Sequence, residues 1–227
     1  MNLLVFDTST EACAVGVAAG NVHHGQFELT PRRHTECVLP WSEQLLAKAG
    51  LEKTDLQAIA VGIGPGAFTG VRLAVSLAQG MAMGLGIPLV PVSTLAVIAQ
   101  AQTHDGPIVV AMDARMGECY VGFYQKHDGI VQALAPECLL KPEAIALPFE
   151  GEWIGAGTAF AAYALQLSPG FTGALNRIDD SALPQPEALL QLAAFGFNTG
   201  LARPPEQIEP AYLRDKVALT IAERAGG

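Results

Sequence analysis

The segment at residues 62–72, GIGPGAFTGVR, has the composition of a loop that could bind a phosphate group. It follows an apolar run and precedes a long apolar stretch, the context in which the amides and dipole of a helix N-terminus attract anions. Neither a Gly-Lys-Ser/Thr ending nor a downstream ribose-binding acid is present, so it is not a P-loop or a dinucleotide fingerprint. Two interpretations remain: Gly64 and Gly66 lie near a nucleotide, or the glycines make a tight turn that packs a helix against a sheet.

Asp7, Thr8 and Ser9 follow the first apolar run and form a second candidate for nucleotide contact. A phosphate-binding turn of the form Asp-x-Gly uses its glycine to bring the backbone close to the phosphate, and Ser9 replaces that glycine here. The alternative is a turn in which the aspartate accepts a hydrogen bond from its own backbone.

A third polar group comprises Arg115, Glu118 and Tyr120 near the middle of the chain. These residues could be functional, although a strand that alternates between its two faces would show the same pattern. His34 has no second histidine one helical turn away, and no HExxH motif occurs, so we expect no metal site and assign His34 to a helix cap or the surface. No GxSxG motif is present, and no residue is assigned a catalytic role.

An internal repeat organises the elements that would carry these residues. Residues 3–17, LLVFDTSTEACAVGV, align with residues 109–123, VVAMDARMGECYVGF, at a constant offset of 106 residues. Asp7 aligns with Asp113 and Cys13 with Cys119, so each copy predicts a strand, a turn and a second strand. The repeat predicts a duplicated α/β fold of the ribonuclease-H-like type, with two lobes at residues 1–104 and 105–227 and the two turns facing each other across a cleft.

The apolar pattern places further elements in each lobe. In the first lobe it predicts strands at 22–29, 58–63 and 88–92, and helices at 36–49, 68–85 and 95–102, with Gly50 as a helix C-cap. In the second it predicts strands at 130–134 and 153–154, and helices at 142–147, 159–167 and 186–199. The segment after Tyr212 would form either a helix that packs back on the first lobe or a partly disordered tail.

The helix at 68–85 is apolar or small on nearly every side, so it must be buried. It is either an interior helix or one that packs across a subunit interface together with the helix around residues 40–49. The residues predicted at that interface are Trp41, Leu45, Leu46, Val71, Ala74, Val75, Ala78 and Met81. A large charged residue at Ala74 or Ala78 would then split the assembly.

Composition limits the classes of function. Half of the residues are hydrophobic and 15% are charged, which predicts a folded core. The formal charge is −9, with 13 basic and 22 acidic residues and no basic run, so the chain is a poor candidate to bind RNA without a partner. No signal peptide or membrane span is expected, and four widely spaced cysteines indicate reduced thiols and a cytoplasmic protein.

Several motifs resemble the TsaB (YeaZ) family of tRNA threonylcarbamoyladenosine biosynthesis proteins: FDTST, RHTECVLP, GIGPGAFTGVRLA, MDARMGECY and PAYLRD. The resemblance implies an actin-like (ASKHA) fold and a protein that is homodimeric alone. It implies pairing with the transferase TsaD through the helices around 41–46 and 71–81, with the ATPase TsaE joining and tRNA bound only through the complex. It also implies ADP or ATP near the subunit interface, and modification of tRNAs that read ANN codons.

The catalytic relatives carry a His-x-x-x-His metal motif where this chain reads VSTLAVI at residues 92–98. The resemblance therefore implies a scaffold or activator subunit that is not an enzyme on its own. Two alternatives remain open: a stand-alone glycoprotease-like peptidase, and a degenerate ATP-binding relative of sugar or acetate kinases. Ser9 and Arg115, which stand at the glycine positions of the two turns, count against the kinase.

Overall fold

The computed structural model describes residues 1–171 and 173–214. The first lobe contains five strands and three helices: β1 (Asn2–Asp7), β2 (Ala12–Ala19), β3 (Val22–Leu29), α1 (His34–Ala49), β4 (Ala58–Gly62), α2 (Phe68–Leu85), β5 (Leu89–Val92) and α3 (Thr94–Ala101). The described part of the chain continues with β6 (Gly106–Asp113), β7 (Cys119–His127), β8 (Ile130–Ala133), β9 (Cys138–Leu140), β10 (Trp153–Ala156), α4 (Ala159–Ala162), α5 (Ala164–Phe171), β11 (Leu175–Asp179) and α6 (Pro186–Asn198). Short 3₁₀ turns lie at Lys53–Asp55, Pro142–Ala144 and Pro205–Gln207.

The two sheets repeat one topology, which confirms the predicted duplication. The first sheet has the order β3-β2-β1-β4-β5, and the second has the order β11-β10-β6-β7-β8, with β9 added beside β7. Each opens with an antiparallel hairpin and continues with parallel strands on the other side of its first strand. The hairpins differ by one residue in register, because Asp7 pairs with Ala14 whereas Asp113 pairs with Cys119. This is the duplicated ribonuclease-H-like architecture of actin-like proteins.

Alternate residues along β1 enter two different cores, as expected for a strand that is buried on both faces. Leu4 and Phe6 pack with residues of α1 and α2 on the outer side of the first sheet. Leu3 and Val5 belong to a central core that includes α3, α6 and the inner face of the second sheet. A third core lies between the second sheet and the helices α4 and α5. Both α3 and α6 therefore lie between the two sheets, although α6 comes late in the chain.

The strongest patterns located their elements well. The bounds of β3 and α2 agree with the prediction, and Gly50 ends α1 in a left-handed conformation with φ 68°. The predicted helix at 142–147 is a 3₁₀ turn, and the predicted helix at 159–167 is divided into α4 and α5. The strands β9 and β11 were not predicted, since Cys138–Leu140 is only three residues long and Leu175–Asp179 is largely polar and exposed.

The residues predicted at a subunit interface lie mostly inside the first lobe, and their part in an interface stays a prediction. Six of the eight are buried in the lobe's own outer core, against the first sheet: Trp41, Leu45, Leu46, Ala74, Val75 and Ala78. Val71 is also buried, near the start of α2. Met81 is half-buried beside them. Ala74 and Ala78 are 0% exposed, so a charge there would disrupt the core before it reached a partner. The apolar stripe of α2 therefore marks the face that contacts the sheet.

Helix α3 is held at both ends by the second lobe. At its N-terminus, Ser93 Oγ and Tyr124 OH both donate to the carboxylate of Glu137. At its C-terminus, Lys126 Nζ donates to the carbonyl oxygens of Gln100, at 2.8 Å, and Gln102, at 2.5 Å. An acid at the start and a base at the end complement the helix dipole, so this arrangement fixes one lobe on the other.

Two further observations concern the described residues. None of their helices is both long and apolar enough to cross a bilayer. The four cysteines are free, and Cys13, Cys37 and Cys119 are buried. Burial raises the pKa of the Cys13 and Cys119 thiols to about 12, so both thiols are protonated at neutral pH.

The contact at Glu137 predicts a specific pH dependence. Burial raises the pKa of Glu137 above its ordinary 4.5, against the opposing effect of its bonds with Ser93 and Tyr124. Above about pH 4.5 the unfolded chain releases the Glu137 proton while the folded chain still holds it. The stability of the fold therefore falls as the pH rises from about 4.5 through the higher pKa of the folded state. Glutamine at position 137 cannot titrate, so Glu137→Gln does not lose this stability. The free energy of unfolding of the variant minus that of the unsubstituted protein, measured in urea, should therefore rise between about pH 4.5 and 7.

Glu43→Gln is the matched control for this titration. Lys53 lowers the pKa of the exposed Glu43, so its titration in the folded state lies below the ordinary value. The difference between Glu43→Gln and the unsubstituted protein should therefore show no rise over the same pH range. A flat difference for Glu137→Gln as well would contradict the role given to the buried carboxyl.

Candidate functional site

The β1–β2 turn is buried, and its polar groups bind one another and neighbouring elements. Asp7 Oδ1 accepts a hydrogen bond from the Ser9 amide at 2.7 Å, and Asp7 Oδ2 accepts one from Thr94 Oγ1 at 2.7 Å. Thr8 Oγ1 donates to the carbonyl oxygen of Gly70 at 2.7 Å. Burial raises the pKa of Asp7, while these hydrogen bonds act in the opposite direction. The turn therefore joins β1, the start of α2 and the start of α3.

The glycine-rich loop lies directly against this turn. The Ala67 amide donates to the carbonyl oxygen of Ser9 at 2.7 Å. A Cβ atom on Gly66 would lie 2.2 Å from that same oxygen, and one on Gly70 would lie 2.0 Å from the carbonyl oxygen of Thr8. A Cβ on Gly62 would lie 2.0 Å from Asp7 Oδ2. Only glycine permits so close an approach at these three positions.

The structure brings Asp7, Thr8, Ser9 and Gly66 together, with the loop packed against the turn. Gly64 lies in the same loop with φ 90°. Of the two interpretations of the loop, close packing of a helix against a sheet accounts for the glycines. Ser9 Oγ is the exception among the polar groups, since it is buried and has no hydrogen-bond partner. Contact of these residues with a nucleotide stays a prediction.

The turn between β6 and β7 holds Arg115 and Glu118 of the third polar group. Asp113 Oδ1 accepts hydrogen bonds from the Arg115 amide and from Tyr163 OH, both at 2.8 Å. The Arg115 side chain is 86% exposed and lies 3.2 Å from Asp113, whereas Glu118 binds Arg214 at 2.8 Å. Arg115 and Glu118 therefore share one turn, with their side chains directed to different partners.

Residues 203–214 return to the first lobe, and their end contacts both lobes. Arg203 pairs with Leu89, and the Ala211 amide donates to the carbonyl oxygen of Ile63 at 2.8 Å. Arg214 Nη2 also donates to the carbonyl oxygen of Ala114 at 3.0 Å, in the second lobe. Sequence reasoning gave these contacts no role. The helix or tail predicted after Tyr212 lies, from residue 215, outside the described residues.

The solvent face of α2 carries a stripe of small residues alongside the exposed side chains of Arg72 and Met83. Ser76, Gly80 and Gly84 are exposed and lie one helical turn apart. A Cβ atom on Gly80 or Gly84 would meet nothing within 4 Å. Their spacing of four residues is the sequence signal for this face, and the more hydrophobic stripe on the opposite side obscured it.

His34 is the first residue of α1, and its Nε2 atom is buried without a hydrogen-bond partner. Within residues 1–171 and 173–214, no group of three or more histidine, cysteine, aspartate or glutamate side chains is placed to hold a metal ion.

Three kinds of comparison point to one family. The model described as "TsaD: tRNA N6-adenosine threonylcarbamoyltransferase" matches residues 27–221. A tRNA threonylcarbamoyladenosine biosynthesis protein TsaB from Escherichia coli K12 is 39% identical over 96% of each chain, and the one from Haemophilus influenzae is 35% identical over 96% of this chain and 95% of its own. The structure of YeaZ from Pseudomonas aeruginosa has a TM-score of 0.88 and 39% identity, and the match covers 93% of this chain and 99% of YeaZ.

The contact between loop and turn can be tested with two glycine substitutions. Gly70→Ala should lower the free energy of unfolding by about 1–3 kcal/mol, because its Cβ would overlap the Thr8 carbonyl. Gly80→Ala is the control, since its Cβ meets open space and alanine favours the helix by about 1 kcal/mol. Unfolding in urea measures both changes. Equal effects at the two positions would show that the loop does not depend on close contact with the turn.

Proposed function

The chain belongs to the TsaB (YeaZ) family of tRNA threonylcarbamoyladenosine biosynthesis proteins, and on that premise we propose that it is a non-catalytic subunit of the machinery that makes this modification. It would pair with a TsaD-type transferase and with a TsaE-type ATPase. It would contact tRNA only through the complex, because a chain of formal charge −9 is a poor ligand for RNA. The complex would act in the cytoplasm.

The state of the first hairpin turn supports a non-catalytic role. Phosphoryl transfer depends on backbone and metal-bound groups that stay free to hold phosphates. In the first turn, the Asp7 carboxylate accepts hydrogen bonds from Ser9 and Thr94, and the glycine-rich loop covers the turn. The polar groups of this turn therefore bind other residues of the same chain, which favours a partner as the site of the chemistry. If ADP or ATP acts in the assembly, we expect it at the interface with that partner.

The solvent face of α2 supports the pairing. Glycine inside an exposed helix costs about 1 kcal/mol relative to alanine, and α2 carries two such residues, Gly80 and Gly84. Helices that pack closely need small side chains where their axes cross, and Ser76 extends the same stripe. This face is the observation on which the proposal rests. The two glycines lower the stability of α2 and face no other part of the described chain, which is explained if another helix packs against them. Homodimer and heterodimer would both use this face.

Gly80→Arg tests the pairing without disturbing the fold. The new side chain would project into open space, so the variant should unfold at nearly the same urea concentration as the unsubstituted protein. It should lose both self-association, measured by light scattering after gel filtration, and binding to a TsaD-type transferase, measured by calorimetry. Ala161→Arg is the matched control, because it adds the same charge to an exposed position of α4 in the other lobe.

Ala78→Glu separates loss of pairing from loss of fold. Ala78 is 0% exposed, so this variant should unfold at much lower urea concentrations, since an unpaired buried charge costs several kcal/mol. If Gly80→Arg assembled as well as Ala161→Arg does, the solvent face of α2 would not be the contact surface.

A further inference from the structure

A small pocket lies where the two lobes and residues 211–214 meet. Its volume is about 250 Å³, and it is bounded by the start of α2, the β6–β7 turn and the returning chain. Val71, Tyr120 and Leu213 contribute to its lining. Pockets for drug-sized ligands usually measure about 300–1,000 Å³, so this one is of a size to hold a single large side chain.

Large apolar side chains surround the pocket and remain accessible. Met116 is 75% exposed, Tyr212 is 51% exposed and Phe68 is 48% exposed, and all three belong to the pocket lining. Methionine, tyrosine, phenylalanine and arginine are among the residue types enriched where proteins bind each other. A cluster of exposed apolar residues around a concave site is typical of a protein contact.

Two arginine side chains line the same pocket, and Arg72 lies beside it. Arg72 lies over the ring of Phe68, with its Cζ 3.5 Å from the ring centroid, and its Nε donates to Tyr212 OH at 2.7 Å. Arg115 is largely exposed and Arg214 lines the pocket, and each has one carboxylate partner. Within the described residues, no carboxylate forms an ion pair with Arg72. Three guanidinium groups against Asp113 and Glu118 leave a local positive excess in a chain of formal charge −9.

The β6–β7 turn holds Met116 outward at some cost. Arg115 and Met116 both have left-handed backbone conformations, with φ 63° and 58°. Each non-glycine residue in this conformation costs about 1–2 kcal/mol. Arg214 stabilises the turn through the carbonyl oxygen of Arg115 and through the sulfur of Met116, at 3.3 and 3.1 Å. A strained and exposed methionine, supported by a neighbouring arginine, is consistent with a surface that is shaped for contact.

We propose that this pocket docks an acidic segment of a partner protein through one large apolar side chain, which enters the pocket while flanking carboxylates meet Arg72 and Arg115. The apolar lining would contact the partner's large apolar side chain, and the excess of positive charge would attract the carboxylates on either side of it. The pocket lies at the N-terminal end of α2, and Phe68 is about 18 Å along the helix from Gly80.

The full-length protein with ¹³C-methyl methionine gives a direct test, because the Met116 methyl group reports from the pocket rim. The probe is a soluble nine-residue peptide of Asp, Glu and Ser with one central Phe. Adding it should shift the Met116 signal, assigned with Met116→Leu, in a saturable way. A peptide with Ser in place of Phe and a peptide with Lys in place of Asp and Glu should leave that signal unchanged.

Charge reversal and a competing nucleotide complete the test. Arg115→Glu should weaken binding of the acidic peptide by at least about fivefold, whereas Gly80→Arg should leave it unaltered. Loss of pairing in Gly80→Arg and weaker peptide binding in Arg115→Glu would therefore be separate results. No shift with the acidic peptide would overturn the proposal. It would also fail if ATP, added in place of the peptide, shifted the Met116 signal while the peptide did not, because the pocket would then be a nucleotide site.

Discussion

The structure depends on one close contact, in which the loop between β4 and α2 lies against the β1–β2 turn. Gly66 and Gly70 have no room for a side chain there, and the loop amide of Ala67 binds the turn directly. The same turn reaches α3 through the bond between Asp7 and Thr94. Because α2 and α3 lie on opposite sides of the first sheet, this contact fixes both helices at once. The solvent face of α2 and the second lobe, which binds α3, are positioned by this contact.

This constraint is consistent with the scaffold role proposed for the chain. The first turn gains stability by binding its own loop, and Glu137 and Lys126 hold α3 to the second lobe at both ends. A chain joined in this way presents rigid surfaces. The small residues on α2 and the pocket beside Met116 are then features of the exterior, where a partner can reach them.

Much of the fold could be predicted because duplication and apolar periodicity are properties of the sequence itself. The aligned aspartates, Asp7 and Asp113, located both hairpins, and the pattern around α2 gave its bounds. The direction in which α2 faces could not be predicted, because a stripe that is buried against a sheet and one that is buried against a subunit have the same composition. The ion pair between Glu118 and Arg214 joins residues 96 positions apart and leaves no local signal.

Reconstitution tests the central claim, that this chain is required for the modification without performing it. The reaction would contain tRNA, ATP, threonine and bicarbonate, with the TsaD-type transferase, the TsaE-type ATPase and the enzyme that supplies threonylcarbamoyl-adenylate. Leaving this protein out should abolish repeated formation of threonylcarbamoyladenosine, and this protein alone should form none. Full activity without it, or modification by this protein alone, would contradict the account.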